Sequence, residues 1–432
     1  MSNALIGRLY RDFGAMFGGF VFRGLSVVLG FAITYYVGHV FGATSSGYYA
    51  LITQSGMLFS IVVLGGMDFS VVKEFSAARA NKVKVSRTSL SRLLLFIFLS
   101  NGVFILAFMQ LPPAWAHKLT ALSTGAIEIA MIAVIMVCRS LTRLTGAFLR
   151  SQGALKMGQM VEVIFIPAMV IVVAPFWHFR TVQDVLQATI VAGIVSALIG
   201  VVMGYRLTAS GSDTLGVTVR RLVSEGLPLW GLGVSLNLAD WYSVAVVSGV
   251  DGLDAAGIFR LSMQVGTTLM FGVTGVMSVV SAQVARAYHA RDYEEIGRLN
   301  RKAATLNMAV AALPVIILLT LAPYFLNLVG PEFVEGTSSL RILLVGQLFY
   351  ALFTPAAQTL AMMGHSRLNL IIVVISTVAY LALSPVLAHA MGMFGVALAM
   401  VVFLVGRSAA CAYYLYVREG INSITGHVRH AQ

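Results

Sequence analysis

Eight ionisable side chains interrupt stretches of this sequence that are otherwise apolar: Arg23, Glu128, Arg139, Arg143, Glu162, Asp240, Arg260 and Arg407. A charge set into hydrocarbon costs about 2.5–3.5 kcal/mol on insertion scales, so such residues face a cavity or a partner. Arginine stays ionised and forms a two-pronged fork with oxyanions. The alternative for each is a structural ion pair or snorkelling to the interface, which is the expectation for Arg143 near the end of its run. Asp240, near the middle of its run, is the first candidate for ion coupling. It could exchange a proton, hold a sodium ion with neighbours such as Asn237, or neutralise an arginine. Glu128 and Glu162 are further carboxyl groups for that role. Glu128 and Arg139 stand eleven residues apart, within about 20° on a helix, and Arg143 follows one turn later. One stripe thus carries all three, either lining a cavity or joining that helix to Glu162 on the next. Asp68 is expected to cap its helix or pair with Lys73.

Other chemistry is sparse. Cys138 and Cys411 both sit in apolar runs and read as small buried fillers. No His/Cys cluster has metal-ligand spacing, and no catalytic centre is expected. Tyr35, Tyr36, Tyr48, Tyr49, Trp241, Tyr242, Gln54 and Gln264 could contact a cargo, although Trp and Tyr also form interfacial belts in any membrane protein.

These residues must be positioned by elements that lie in lipid. Hydrophobic residues make up 58% of the 432 and charged residues 11%, with a mean hydropathy of +0.88. A soluble domain carries about 25% charged residues. Backbone in lipid must bond to itself, as a helix or a closed barrel. Apolar runs of about twenty residues without alternation select helices. Spans are predicted at 15–40, 46–70, 92–111, 121–145, 157–177, 183–206, 227–249, 254–282, 303–328, 338–362, 368–390 and 393–417. The fold class is therefore an all-α polytopic bundle of about twelve transmembrane helices. Residues 1–13 lack the features of a removable signal peptide.

Charge sets the orientation. With both termini in the cytoplasm, one inner loop alone holds Lys73, Arg79, Lys82, Lys84, Arg87 and Arg92, while external segments hold only Lys118, Arg180 and Arg341. The positive-inside rule accounts for the net charge of +12. Contact with anionic membrane lipids follows from it, and nucleic-acid binding does not. The external loops are short and the longer polar loops cytoplasmic. That argues against an enzyme acting on the outer face and for a transporter.

An internal repeat divides the chain. Gly42-Ala-Thr-Ser-Ser-Gly47 aligns with Gly252-Leu-Asp-Ala-Ala-Gly257 at an offset of 210, and Leu149, Gly153 and Lys156 align with Leu360, Gly364 and Arg367 at 211. The expected organisation is a six-helix lobe over 1–206, a cytoplasmic linker over 207–226, a second lobe over 227–418 and a tail over 419–432. Parallel repeats of this kind suit rocking about a central cleft.

The stretch Val37-Gly-His-Val-Phe-Gly-Ala-Thr-Ser-Ser-Gly47-Tyr-Tyr-Ala-Leu resembles a signature of bacterial polysaccharide flippases, a branch of the multidrug/oligosaccharidyl-lipid/polysaccharide exporter superfamily. Leu238-Ala-Asp240-Trp-Tyr, followed by Gly252 and Gly257-Ile-Phe-Arg-Leu, is similar to that family's seventh helix and the hairpin after it. Trp241 stands where the family often has a basic residue. The resemblance implies a flippase in the bacterial inner membrane for an undecaprenyl-diphosphate-linked oligosaccharide, serving O-antigen, capsule or exopolysaccharide assembly. A polymerase and glycosyltransferases would then be pathway partners. In that setting Arg23, Arg260, Arg407 and Arg139 would bind the diphosphate. No cofactor is expected, and coupling to a proton or sodium gradient is open. The alternatives are a cation-coupled drug or metabolite antiporter of the same superfamily and, behind it, a membrane enzyme of glycan assembly.

Overall fold

The computed structural model describes residues 3–83, 85–110, 125–208 and 218–428, and side chains from Phe22 onward except Arg23. No strand occurs among the described residues. A helix over Asn3–Leu64 is broken at Gly42 into α1 (3–41) and α2 (43–64). It is followed by α3 (Met67–Ala80), α4 (Arg87–Met109) and α5 (Ala126–Ser151). α6 (Leu155–Gln159) runs through a π-turn at Met160–Ile164 into α7 (Phe165–Trp177), and α8 (Val182–Leu207) follows. Then come α9 (Val219–Asp251), α10 (Leu253–His289), α11 (Tyr293–Asn327) and α12 (Thr337–Met362). The last helix, Ser366–Glu419, is broken at Gly392 into α13 (366–391) and α14 (393–419).

Among the described residues, eight continuous helices are long and apolar enough to cross a membrane. Two of them divide at Gly42 and Gly392. α5 and α9, which carry Arg139 and Asp240, are long enough to cross as well. The bundle is thus the expected one of twelve spans, with α3 as a shorter helix continuing from α2.

Helix ends follow local chemistry. Ser86 caps α4 by accepting from Ser89 N–H at 3.1 Å. Thr181 and Asp184 form a capping box on α8. At the π-turn the widened ladder leaves a carbonyl over, and Ser196 Oγ donates to Val161 O at 2.8 Å.

By internal packing the chain forms two compact units, one of Met1–Val37 with Leu51–Val234 and the other of Gly38–Ala50 with Ser235–Gln432. In the first, Phe75, Leu90, Leu144, Phe148 and Leu222 share a core. Trp230 Nε1 donates to Ile61 O at 2.9 Å, shortly before the chain breaks from helix at Gly65–Gly66. In the second, Met277, Val284, Ala303, Ala351, Leu360 and Cys411 do the same. Cys138 and Cys411 are both buried and free.

The repeat is visible in the backbone. Gly42 has φ 82° and ψ 177°, and Gly252 has 97° and 173°. Only glycine adopts this conformation readily, and each starts a helix. Gly153 and Gly364 match likewise, at φ 84° and 90°. In the second unit the first turns of α2 and α10 cross through Gly47 and Gly257. A Cβ on Gly47 would lie 1.9 Å from Leu253 O, and one on Gly257 would lie 2.1 Å from Ala43 O. Both residues of this reciprocal contact obey the offset of 210. Ala43 N–H also donates to Glu332 Oε1, a carboxylate at the positive end of α2. His39 Nδ1 lies 3.0 Å from Val329 O.

Candidate functional site

In the second unit five helices converge on a polar centre. α9 contributes Leu236 and Asp240, one turn apart. α10 contributes Met263, Thr267 and Met270 at i, i+4 and i+7. α12 contributes Leu343, Gln347 and Tyr350, and α14 contributes Met400, Phe403, Leu404 and Arg407. These spacings put each set on one helix face. Together they line a cavity of about 200 Å³. α13 adds Tyr380, whose ring centroid is 5.4 Å from that of Phe403 and 6.4 Å from that of Tyr242.

Arg407 organises one wall. Its Nη2 donates to Tyr350 OH at 3.1 Å, and its guanidinium carbon sits 5.3 Å from the Tyr350 ring centre and 5.6 Å from that of Phe403. These are cation–π distances. Asp240 is half-buried and lies in the field of two arginines, Arg260 on α10 and Arg407 on α14. Ser243 Oγ, one turn on, donates to Asp240 O at 2.7 Å. Three of the side chains singled out in the sequence, Asp240, Arg260 and Arg407, are thus brought together. Gln347 and Tyr350 were missed, because in sequence they are an ordinary amide and an ordinary aromatic inside an apolar run.

The other expected residues lie in the first unit. Glu128 is in the first turn of α5, with its carboxylate folded back beside Gly125. Arg139 is half-buried and engaged by neighbours. Arg143 does not snorkel: its Nη2 meets Asp68 Oδ2 at 2.7 Å, with side-chain exposures of 19% and 9%. Asp68 therefore takes Arg143, not Lys73, and Lys73 pairs with Glu225 at 3.0 Å. Glu162 is bound by Arg150, which lies on α5 eleven residues beyond Arg139, so Glu162 is joined to α5 through that residue. The π-turn carries Glu162, and close packing at Gly146 and Gly158 brings it to Arg150. The side chain of Arg23 lies outside the described residues.

A family model described as MatE matches residues 232–386, the stretch that contains Asp240, Arg260, Gln347 and Tyr350. No curated protein matches the sequence. Solved structures do. An inward-facing multidrug resistance MATE family transporter of the MOP superfamily aligns with a TM-score of 0.74 at 15% identity, covering 91% of this chain and 94% of that one. The MATE multidrug transporter DinF-BH, solved as a complex with a bound compound, aligns at 0.66 and 15% identity, covering 98% of each chain. A MOP superfamily transporter from Pyrococcus furiosus, whose binding pocket is described as reversed in polarity, aligns at 0.61 and 13% identity, covering 94% and 95%.

These matches correct the flippase expectation. They lead to multidrug transporters, and nothing in them supports a polysaccharide flippase, a lipid-linked glycan cargo, or a polymerase and glycosyltransferases as partners. In the structure Arg143 is paired with Asp68, and Arg260 and Arg407, two of the arginines expected on a diphosphate, stand near the Asp240 carboxyl. The chain is a polytopic membrane protein with the fold of the MATE transporters, and its MatE match covers α9, α10 and α12 of the charged cavity but ends before α14.

Proposed function

We propose that this chain is a cation-coupled transporter of small amphipathic drugs or metabolites, working by alternating access in the bacterial cytoplasmic membrane with both termini inside. One observation carries the reading: a cavity lined by Asp240 and Arg407, with Arg260 near enough to act on the Asp240 carboxyl, on a fold shared with multidrug transporters. Asp240 is the coupling group. Taking up a proton or a sodium ion removes its negative charge, and in a low-dielectric cavity that changes the field on both arginines substantially. Binding of the driving ion and of the cargo are thereby linked through the same three side chains.

The test is flux in proteoliposomes carrying the full chain, with a pH gradient or a sodium gradient imposed separately and a panel of cationic, neutral and anionic dyes as cargo. One gradient should drive accumulation. Asp240→Asn should lower gradient-driven flux by about tenfold or more, equivalent to roughly 1.4 kcal/mol, while leaving the protein folded. Full gradient dependence in that variant refutes the role of Asp240. Absence of any gradient-driven flux across the panel refutes the transport reading.

A further inference from the structure

Two polar atoms on the wall of the cavity have no hydrogen-bond partner: Arg407 Nε, a donor, and Gln347 Oε1, an acceptor as placed. Gln347 is 3% exposed. Eight buried side-chain atoms among the described residues lack a partner, and two of them are on this one wall. Folded proteins satisfy nearly all their buried polar atoms, and the exceptions call for an explanation. The two here belong to Arg407 and Gln347, residues that line the cavity.

Charge says what fits. Among the described ionisable groups acting on Asp240, Arg260 and Arg407 bring two positive charges against its one negative, an excess of one. That excess suits a monoanion and falls short of a diphosphate. The rings of Tyr350 and Phe403 lie against the Arg407 guanidinium, and no protein acceptor takes its Nε–H. An Arg edge and a carboxylate make parallel charge-assisted bonds. The Gln347 amide, whose oxygen and nitrogen can exchange places by a flip, can donate to the same carboxylate. The rest of the wall is apolar and adaptable, with Met263, Met270 and Met400. At about 200 Å³ the space is smaller than the roughly 300–1,000 Å³ of a drug-sized site.

We propose that this cavity is a binding site for a small aromatic carboxylate, with the carboxylate on Arg407 and Gln347 and the ring against Phe403 and the methionines. The inference rests on the transport reading only in treating the bound anion as cargo. It also gives the linkage a sign. Asp240 and the ligand compete for the same positive field, so neutralising Asp240 strengthens the hold on the anion.

The experiment is calorimetric titration of the full chain in nanodiscs with benzoate, and with benzamide and benzylamine as the neutral and cationic matches. Benzoate should bind, and the other two at least about tenfold more weakly. Arg407→Gln should weaken benzoate by about tenfold or more and Gln347→Leu by a smaller factor, while Asp240→Asn should tighten it several-fold. Should Arg407→Gln fail to fold, Gln347→Leu and Asp240→Asn still decide. Benzylamine binding in preference to benzoate overturns the proposal, as does benzoate affinity unmoved by these substitutions, or no benzoate binding at all. Gradient-driven flux of the dye panel without benzoate binding refutes this inference alone. Benzoate binding without flux refutes the transport reading alone.

Discussion

Replacing Gly47 with alanine adds one methyl group at the point where α2 crosses α10. The new Cβ would lie 1.9 Å from Leu253 O and 3.0 Å from Gly257 N, both backbone atoms, whereas ordinary contact begins at 3.4 Å. No side-chain rotation relieves the overlap, so the two first turns must separate by about 1.5 Å, and overpacking of this kind costs about 1–3 kcal/mol. In lipid no hydrophobic gain between helices offsets the loss, since association there rests on close packing. Gly257→Ala strikes the same contact from the other side, 2.1 Å from Ala43 O. One separation relieves both clashes, so the double variant should lose clearly less than the sum of the singles. Gly102→Ala and Gly249→Ala serve as references: a Cβ there meets nothing within 4 Å, and alanine in an open helical site is worth about 0.5–1 kcal/mol over glycine. The assay is SDS-induced unfolding in mixed micelles, followed by tryptophan fluorescence. The reasoning fails if Gly47→Ala is as stable as Gly102→Ala, or if the double variant shows the full sum.

Two further expectations concern charge. Arg143→Met leaves the Asp68 carboxylate buried without its partner and should cost about 3–5 kcal/mol, while the joint change to Arg143→Met and Asp68→Leu should recover most of that. Equal losses in the single and double variants in the same unfolding assay would show that the pair is not the source. Near the start of α9, the Arg221 guanidinium first and the Lys73 ammonium second hold the Glu225 carboxyl down to about 2. A lowered folded-state value means stability present above the ordinary glutamate range and lost as pH falls from there towards 2. The gap between wild type and Glu225→Gln should therefore be open at pH 7 and shrink by pH 3, and the exposure of Lys73 makes it sensitive to salt. An equal gap at both pH values would exclude this linkage.

The charged residues show how far sequence reasoning reached and where it stopped. Asp240, Arg260 and Arg407 were legible because ionisable groups in apolar runs are costly and need a reason. Their meeting depends on three helices whose charged residues are up to 167 positions apart in sequence, and a local pattern carries no such information. The partner of Asp68 was misjudged for the same reason. Lys73 lies within reach of Asp68 along the chain, but Arg143 reaches it from α5 through the packed core. Gln347 and Tyr350 carried no sequence signal.

Composition and run length by themselves determined an all-helical membrane bundle, because a chain this apolar can satisfy its backbone in lipid in few ways. The glycines at an offset of 210 were enough to expose the repeat, since a positive φ and a reciprocal backbone contact restrict a position to one residue type. The sign and strength of the charged centre were decided by the tertiary structure alone. Each intramembrane arginine is costly in isolation, but whether it is spent on a carboxylate partner or left to hold a ligand depends on which helices pack against it. Here the packing balances Arg143 against Asp68 and leaves one excess positive charge beside Asp240.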